Sequence, residues 1–429
     1  MSPRRALVLA GGGARGAYGA GVVRYLRGEF ARDLGRQPRL DLLAGTSIGA
    51  INACFVGSTA HALDTQGEAL ADVWRSLRLE EVFHWSALDP WGFARRAWSF
   101  YKDLRSPGSL LRLSDFVQPD ALRRLVEQRI DWGRLHENVR QGLVQALTVI
   151  ATDLGTGKAV VFVESREGPP AFPDDPNVEV RARQLGPEHA LASGALPLLF
   201  RPVPIEGSWF SDGFLKQNVP LLPVLRLGAE RILVVVQRDP PRPHPAPRLD
   251  PGSPPTTAAQ VGRVLSALML DGTDRELARM HGVNALLDEG ERTFGAGFAA
   301  RLAALAEQGL GYPLARVQEL VVRPSQDLGD IARAHAQRRL RAMRPGTLAA
   351  RLLRRAAEEA EGQDDGSADL ASYLLFDRDY AEDLIALGTA DARARREALA
   401  AFFDDAGAAG EAPAAAGTAT AGAGQARSA

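Results

Sequence analysis

Apolar runs of five to eight residues recur at positions 6–10, 40–44, 147–151, 158–163, 178–185 and 231–236, and stretches of helical period separate them. Strands that alternate with helices predict an α/β sheet covered by helices on both faces. The last run, Ile232-Leu233-Val234-Val235-Val236, has no polar alternation, which marks an interior strand buried on both faces, and it is read as closing the sheet. Proline then dominates residues 239–255, where missing N–H donors and fixed φ angles predict an exposed linker or long loop. Helical spacing resumes behind a capping-box pair, Thr257 and Gln260, with Val261, Val264, Leu265 and Leu268 along one face. Positions 320–322 predict one strand returning to the sheet, and 331–343, 348–361 and 380–403 predict helices. The Ala/Gly-rich residues 406–429 lack the apolar bulk to fold and predict disorder.

Two of the predicted strands run into glycine-rich turns. After the second comes Gly45-Thr46-Ser47-Ile48-Gly49, followed by helix-like sequence to Val56. A strand that reverses abruptly into a helix forces its turn residue into strained backbone angles and lifts that side chain outward, so Ser47 is a candidate nucleophile. After the first strand, Gly11-Gly12-Gly13-Ala14-Arg15-Gly16 satisfies Gly-x-Gly-x-x-Gly. Two uses of this loop compete. A dinucleotide site needs an acidic residue about 20 positions on to hold the ribose. Here that distance brings Leu34-Gly35-Arg36, so the anchor is missing. Alternatively, the loop N–H groups face the oxyanion that develops when Ser47 attacks an ester. Arg15 then either adds positive charge or braces the loop.

A serine hydroxyl is a weak nucleophile until a neighbour accepts its proton. The chain has seven histidines, and none stands at a predicted strand end. A carboxylate can take the role where burial or geometry raises its proton affinity. Two candidates arise. Asp212, in Ser211-Asp212-Gly213, follows the strand-like residues 205–210, and Asp153 ends the strand beginning at Leu147, just before the hairpin-like Leu154-Gly155-Thr156-Gly157.

Taken together, the glycine loop with Arg15 before its final Gly, the Ser47 elbow and the distal Asp212-Gly213 resemble the patatin-like phospholipases, in particular their bacterial members. Ala151-Thr152-Asp153-Leu154, the run from Ala192 to Phe200 and Tyr373-Leu374-Leu375-Phe376-Asp377 add to the resemblance, which is strong over residues 6–225 and weak beyond. It implies a three-layer α/β/α patatin-like fold with a mostly parallel central sheet, followed by a helical C-terminal region. It further implies a Ser47–Asp212 dyad without histidine, an oxyanion hole from Gly11, Gly12, Gly13 and Arg15, no metal and no cofactor. The expected reaction is hydrolysis of a phospholipid or other acyl-ester lipid through an acyl-enzyme. The same intermediate would serve a lipid acyltransferase, and a catalytically weak lipid-binding protein is the rival from another class. Phe214 departs from the pattern, since the family has Gly or Ala there, and a bulky residue at that point narrows the site or displaces Asp212. The corresponding division is a catalytic domain over 1–238, a linker or loop over 239–257, a mainly helical region completing or flanking that domain over 258–405, and a disordered tail over 406–429.

Composition limits the partners. With 429 residues and a formal charge of −1, the chain is long enough for a large core and carries no electrostatic case for nucleic acid. Cys54 is the only cysteine, which leaves no internal disulfide or thiolate metal cluster, suits a cytoplasmic setting and predicts a buried, inert thiol. Arg4 and Arg5 before residues 6–10 imitate a secretory signal, but the apolar run breaks too soon at the glycines and reads as a strand. No stretch approaches the roughly 18 apolar residues of a membrane span, so membrane contact is expected to be peripheral. Residues 74–101 hold four of the six tryptophans with Arg95 and Arg96 among them, a pattern suited to a lid or docking surface, or to a cap packed on the core.

Overall fold

The computed structural model describes residues 3–77, 120–168, 175–197, 200–216, 220–238, 257–310, 314–342 and 372–405. The expected linker at 239–255, the helix at 348–361, the tail at 406–429 and the aromatic segment beyond Leu77 lie outside the described residues.

Among the described residues nine strands form one sheet: β1 (Arg5–Leu9), β2 (Leu42–Thr46), β3 (Ala146–Asp153), β4 (Ala159–Ser165), β5 (Val178–Ala182), β6 (Val203–Ile205), β7 (Ser208–Asp212), β8 (Arg231–Val235) and β9 (Gln318–Val322). The main path runs β5-β4-β3-β2-β1-β8-β9. It is parallel throughout except where β3 and β4 form a hairpin. Side chains alternate between two cores. Leu7, Leu9, Leu233 and Val235 face one, and Ala6, Val8, Ile232 and Val234 face the other. The period of two in an unbroken apolar run therefore feeds both faces at once, which explains why the central strands show no polar alternation.

Helices cover both faces and complete the three-layer α/β/α arrangement. On the first lie Gly16–Tyr25, Ile48–Ser58, Pro187–Ser193 and Arg378–Ala394, all contributing to the larger core. On the second lie Leu221–Arg226 and the 38-residue helix Thr257–Phe294, whose Leu277 and Met280 pack there. Cys54 is fully buried, and burial pushes its thiol above the ordinary range, as befits an inert side chain. No helix among the described residues is long and apolar enough to cross a membrane.

Three sequence expectations need correction. β8 does not close the sheet, because β9 pairs with it in parallel and takes the edge. Residues 205–210 are not one strand. Glu206 and Gly207 both have positive φ, 49° and 84°, and form a two-residue turn between β6 and β7. The single helix expected over 380–403 is two, Arg378–Ala394 and Arg396–Phe403. Asp377 caps the first by accepting the amides of Asp379 and Tyr380.

Candidate active site

The site is set by how three strands meet. β4 occupies one edge of β3 along residues 146–152, leaving the other edge to β2 and β7. β2 runs parallel to β3 and ends with Thr46 opposite Ile150; β7 runs antiparallel and ends with Asp212 opposite Ala151. Two strands approaching from opposite directions thus terminate at adjacent positions of a third. Ser47 and Asp212, 165 residues apart, come together there, with Ser47 Oγ donating to Asp212 Oδ2 at 2.5 Å.

Ser47 has φ 57° and ψ −131°, a conformation costly for any residue with a Cβ. Packing holds it. A Cβ on Gly49 would lie 2.1 Å from the Leu9 carbonyl oxygen, so the helix after Ser47 presses directly on the end of β1. Ser193 secures the elbow from the other side, since its Oγ accepts the Ser47 N–H at 2.9 Å and donates to the Ile150 carbonyl at 2.5 Å.

Asp212 is completely buried, and burial pushes its carboxyl up to about 7. Hydrogen bonds from the Phe214 N–H at 3.0 Å and from Ser47 pull the other way without cancelling the loss of solvent. Its backbone is fixed too, with its N–H on the Ala195 carbonyl and its own carbonyl accepting Thr152 Oγ1, both at 2.9 Å. Phe214 does not displace the carboxylate. Its ring is buried in the larger core and its amide orients Asp212.

Asp153 lies at the other end of the same pairing, opposite Phe210, and its Oδ1 accepts the amides of Gly155 and Thr156 in the β3–β4 turn. The described histidines are engaged elsewhere. His136 bonds Glu164, His335 bonds Asp383, and His189 accepts the Gly186 amide while lying edge-on to Phe162.

The glycine loop reaches the same place. A 3-10 turn, Gly13–Arg15, leads into the helix Gly16–Tyr25, and Gly13 has a left-handed φ of 55°. Gly13 and Ser47 line one cavity together with Ile48, Ile51, Leu196 and Phe200, so the loop and the elbow face each other across an apolar space. Arg15 is buried and braces the loop. Its Nε donates to Ser372 Oγ at 2.7 Å, its Nη1 to the Gln237 carbonyl at 3.3 Å, and its guanidinium lies 4.2 Å over the Tyr373 ring. Gly11 and Gly12 extend from β1 into this turn, and a Cβ on Gly12 would strike the Gln237 side chain.

Ser193, Thr152, Gln237 and Ser372 escaped the sequence reading as contributors. Ser193 had a signal, its place in Ala192-Ser193-Gly194, but nothing in the sequence indicates that its hydroxyl bridges β3 and the elbow.

The sequence model of the patatin-like phospholipase family matches residues 7–225, a span holding the loop, the elbow and Asp212. The chain belongs to the patatin-like phospholipase family. Among solved structures, VipD from Legionella pneumophila is similar, with a TM-score of 0.29 at 14% identity over 90% of this chain and 67% of that one. Comparison with curated proteins finds no match. Membership in this family supports lipid acyl hydrolysis as the general activity.

Proposed function

We propose that this patatin-like protein hydrolyses lipid acyl esters through Ser47 and Asp212. The observation that carries the reading is the 2.5 Å hydrogen bond between the strained serine and a buried carboxyl whose proton affinity lies near neutrality. A base held near the working pH accepts a proton in the transition state and returns it afterwards. The Ser47 proton passes to Asp212 as Oγ bonds to the acyl carbon. The resulting oxyanion lies against N–H groups of Gly11, Gly12 and Gly13, oriented before the reaction begins. Collapse expels the alcohol, which takes the proton from Asp212. Water then attacks the acyl-enzyme, giving one proton to Asp212, and the acid leaves as Ser47 recovers it. Arg15 serves this scheme by shaping the loop. The apolar wall of Ile48, Ile51, Leu196 and Phe200 suits an acyl chain.

Contact with a phospholipid surface is proposed for the start of β7, the end away from Asp212. Pro204, Trp209 and Leu154 stand side by side across β6, β7 and the end of β3, with Trp209 56% and Leu154 48% exposed. Trp209 is three residues from Asp212, and an exposed tryptophan beside leucine suits a headgroup boundary. The test is fatty-acid release from phosphatidylcholine vesicles together with fluorophosphonate labelling. Wild type is expected to do both and Ser47→Ala neither, and hydrolysis that survives in Ser47→Ala overturns the nucleophile.

A further inference from the structure

The segment Ser372–Asp377 touches the site from a part of the chain more than 300 residues beyond the glycine loop. It grips that loop through Ser372 and Tyr373. Ser372 is fully buried and accepts Arg15 Nε at 2.7 Å, and the Tyr373 carbonyl packs so closely on Gly13 that a Cβ there would lie 2.3 Å from it. Arg15 in turn closes the 3-10 turn through its own N–H on the Gly12 carbonyl at 3.1 Å. Position and conformation of the loop are therefore both set from outside it.

The segment is itself held rigidly. The Phe376 ring stacks on Trp74 with centroids 6.3 Å apart and planes 5° from parallel. Trp74 Nε1 donates to Asn52 Oδ1, and Asn52 Nδ2 donates to the Gly16 carbonyl at the start of the helix following the loop. This closes a circuit from Ser372 through Arg15 and Gly16 to Asn52, Trp74 and back to Phe376. Leu374 and Phe376 also line the cavity at Ser47.

We infer that Ser372 is a positioning residue for ester hydrolysis, acting through Arg15 to hold the glycine-loop amides where the oxyanion forms. The inference rests on the proposed roles of Ser47 and the loop. Oxyanion stabilisation depends on donors aimed at charge that exists only in the transition state. Slack in the loop therefore lowers kcat and leaves substrate binding, set by the apolar wall, nearly unchanged. The proton transfer belongs to Asp212, so the pH at which the rate rises stays where it is.

The experiment compares wild type, Ser372→Ala and Ser372→Thr in the full-length protein, on a soluble p-nitrophenyl ester, with fluorophosphonate labelling alongside. Ser372→Ala is expected to lose roughly 10- to 100-fold in kcat and in labelling rate, with KM within about twofold and an unchanged pH midpoint. Ser372→Thr, which keeps the hydroxyl, is expected to recover most of the loss. Wild-type kcat in folded Ser372→Ala, or a loss that falls on KM, overturns the inference. If Ser372→Ala fails to fold, the Thr variant decides: a folded Thr variant with kcat about 10-fold or more below wild type, or with wild-type unfolding but no labelling, overturns it as well. Absence of labelling in wild type overturns the reading of Ser47 instead, so the two failures are distinguishable.

Discussion

Replacing Asp212 with asparagine separates what the carboxylate does for the reaction from what it costs the fold. In the unfolded chain this group titrates near 3.8, and in the folded protein burial moves it to about 7. Between those values the folded state holds a proton that the unfolded state has released, so stability falls as pH rises from about 4 to about 7 and is level above. At 1.36 kcal/mol per pH unit, the gap corresponds to about 4 kcal/mol lost by wild type on going from pH 4 to pH 9. Asparagine carries no charge and retains an oxygen for the Phe214 amide, so Asp212→Asn escapes this loss. Urea unfolding at pH 4.5, 6, 7.5 and 9 is expected to show near-equal stabilities at the acid end. Moving toward alkaline pH, the variant becomes the more stable protein by up to about 4 kcal/mol. Turnover is expected to fall by about 100- to 10,000-fold, the usual contribution of a general base. A stability difference that does not change with pH, or a wild type more stable than the variant at pH 9, would refute the assignment of a buried, neutrally titrating carboxyl. Wild-type activity on a soluble ester should rise through pH 7 for the same reason.

Ser47→Gly is expected to raise stability by about 1–2 kcal/mol while abolishing labelling, because glycine adopts the elbow conformation without strain; calorimetry and a fluorophosphonate gel check the pair. Asp153→Asn is expected to keep turnover within about twofold, since its carboxylate serves the β3–β4 turn, and a dead enzyme would show that the wrong aspartate was chosen. Trp209→Glu is expected to weaken flotation with phosphatidylcholine vesicles at least about fivefold and to leave turnover of a soluble ester intact. Unchanged flotation would remove this edge from the lipid contact.

Much of the sheet is legible in sequence because its strands are local events. The runs at 6–10, 147–151 and 158–163 fall on β1, β3 and β4, since an apolar stretch between turn signals specifies a strand whatever surrounds it. Errors arose where neighbours decide. Residues 205–210 read as one strand because Glu206-Gly207 lies between strand-like flanks, and only pairing of Pro204 with Trp209 reveals the hairpin. β8 read as the end of the sheet because its partner β9 lies more than 80 residues later behind a proline-dense stretch.

At the site the same boundary holds. Sequence alone determined that Ser47 stands on a strand-to-helix turn and that a glycine loop follows the first strand, because each depends on a few consecutive residues. It offered Asp153 and Asp212 as partners, with Asp212 preferred through the family resemblance, and left Arg15 between a charge and a brace. Tertiary structure supplied the contacts of both. Asp212 meets Ser47 because β2 and β7 end at adjacent positions along β3, and Arg15 braces because Ser372 and Gln237 reach it from distant parts of the chain. The elevated proton affinity of Asp212 likewise belongs to no local pattern. It comes from the exclusion of water by a core assembled from the whole chain, and short-range sequence carries no record of which side chains will be dry together.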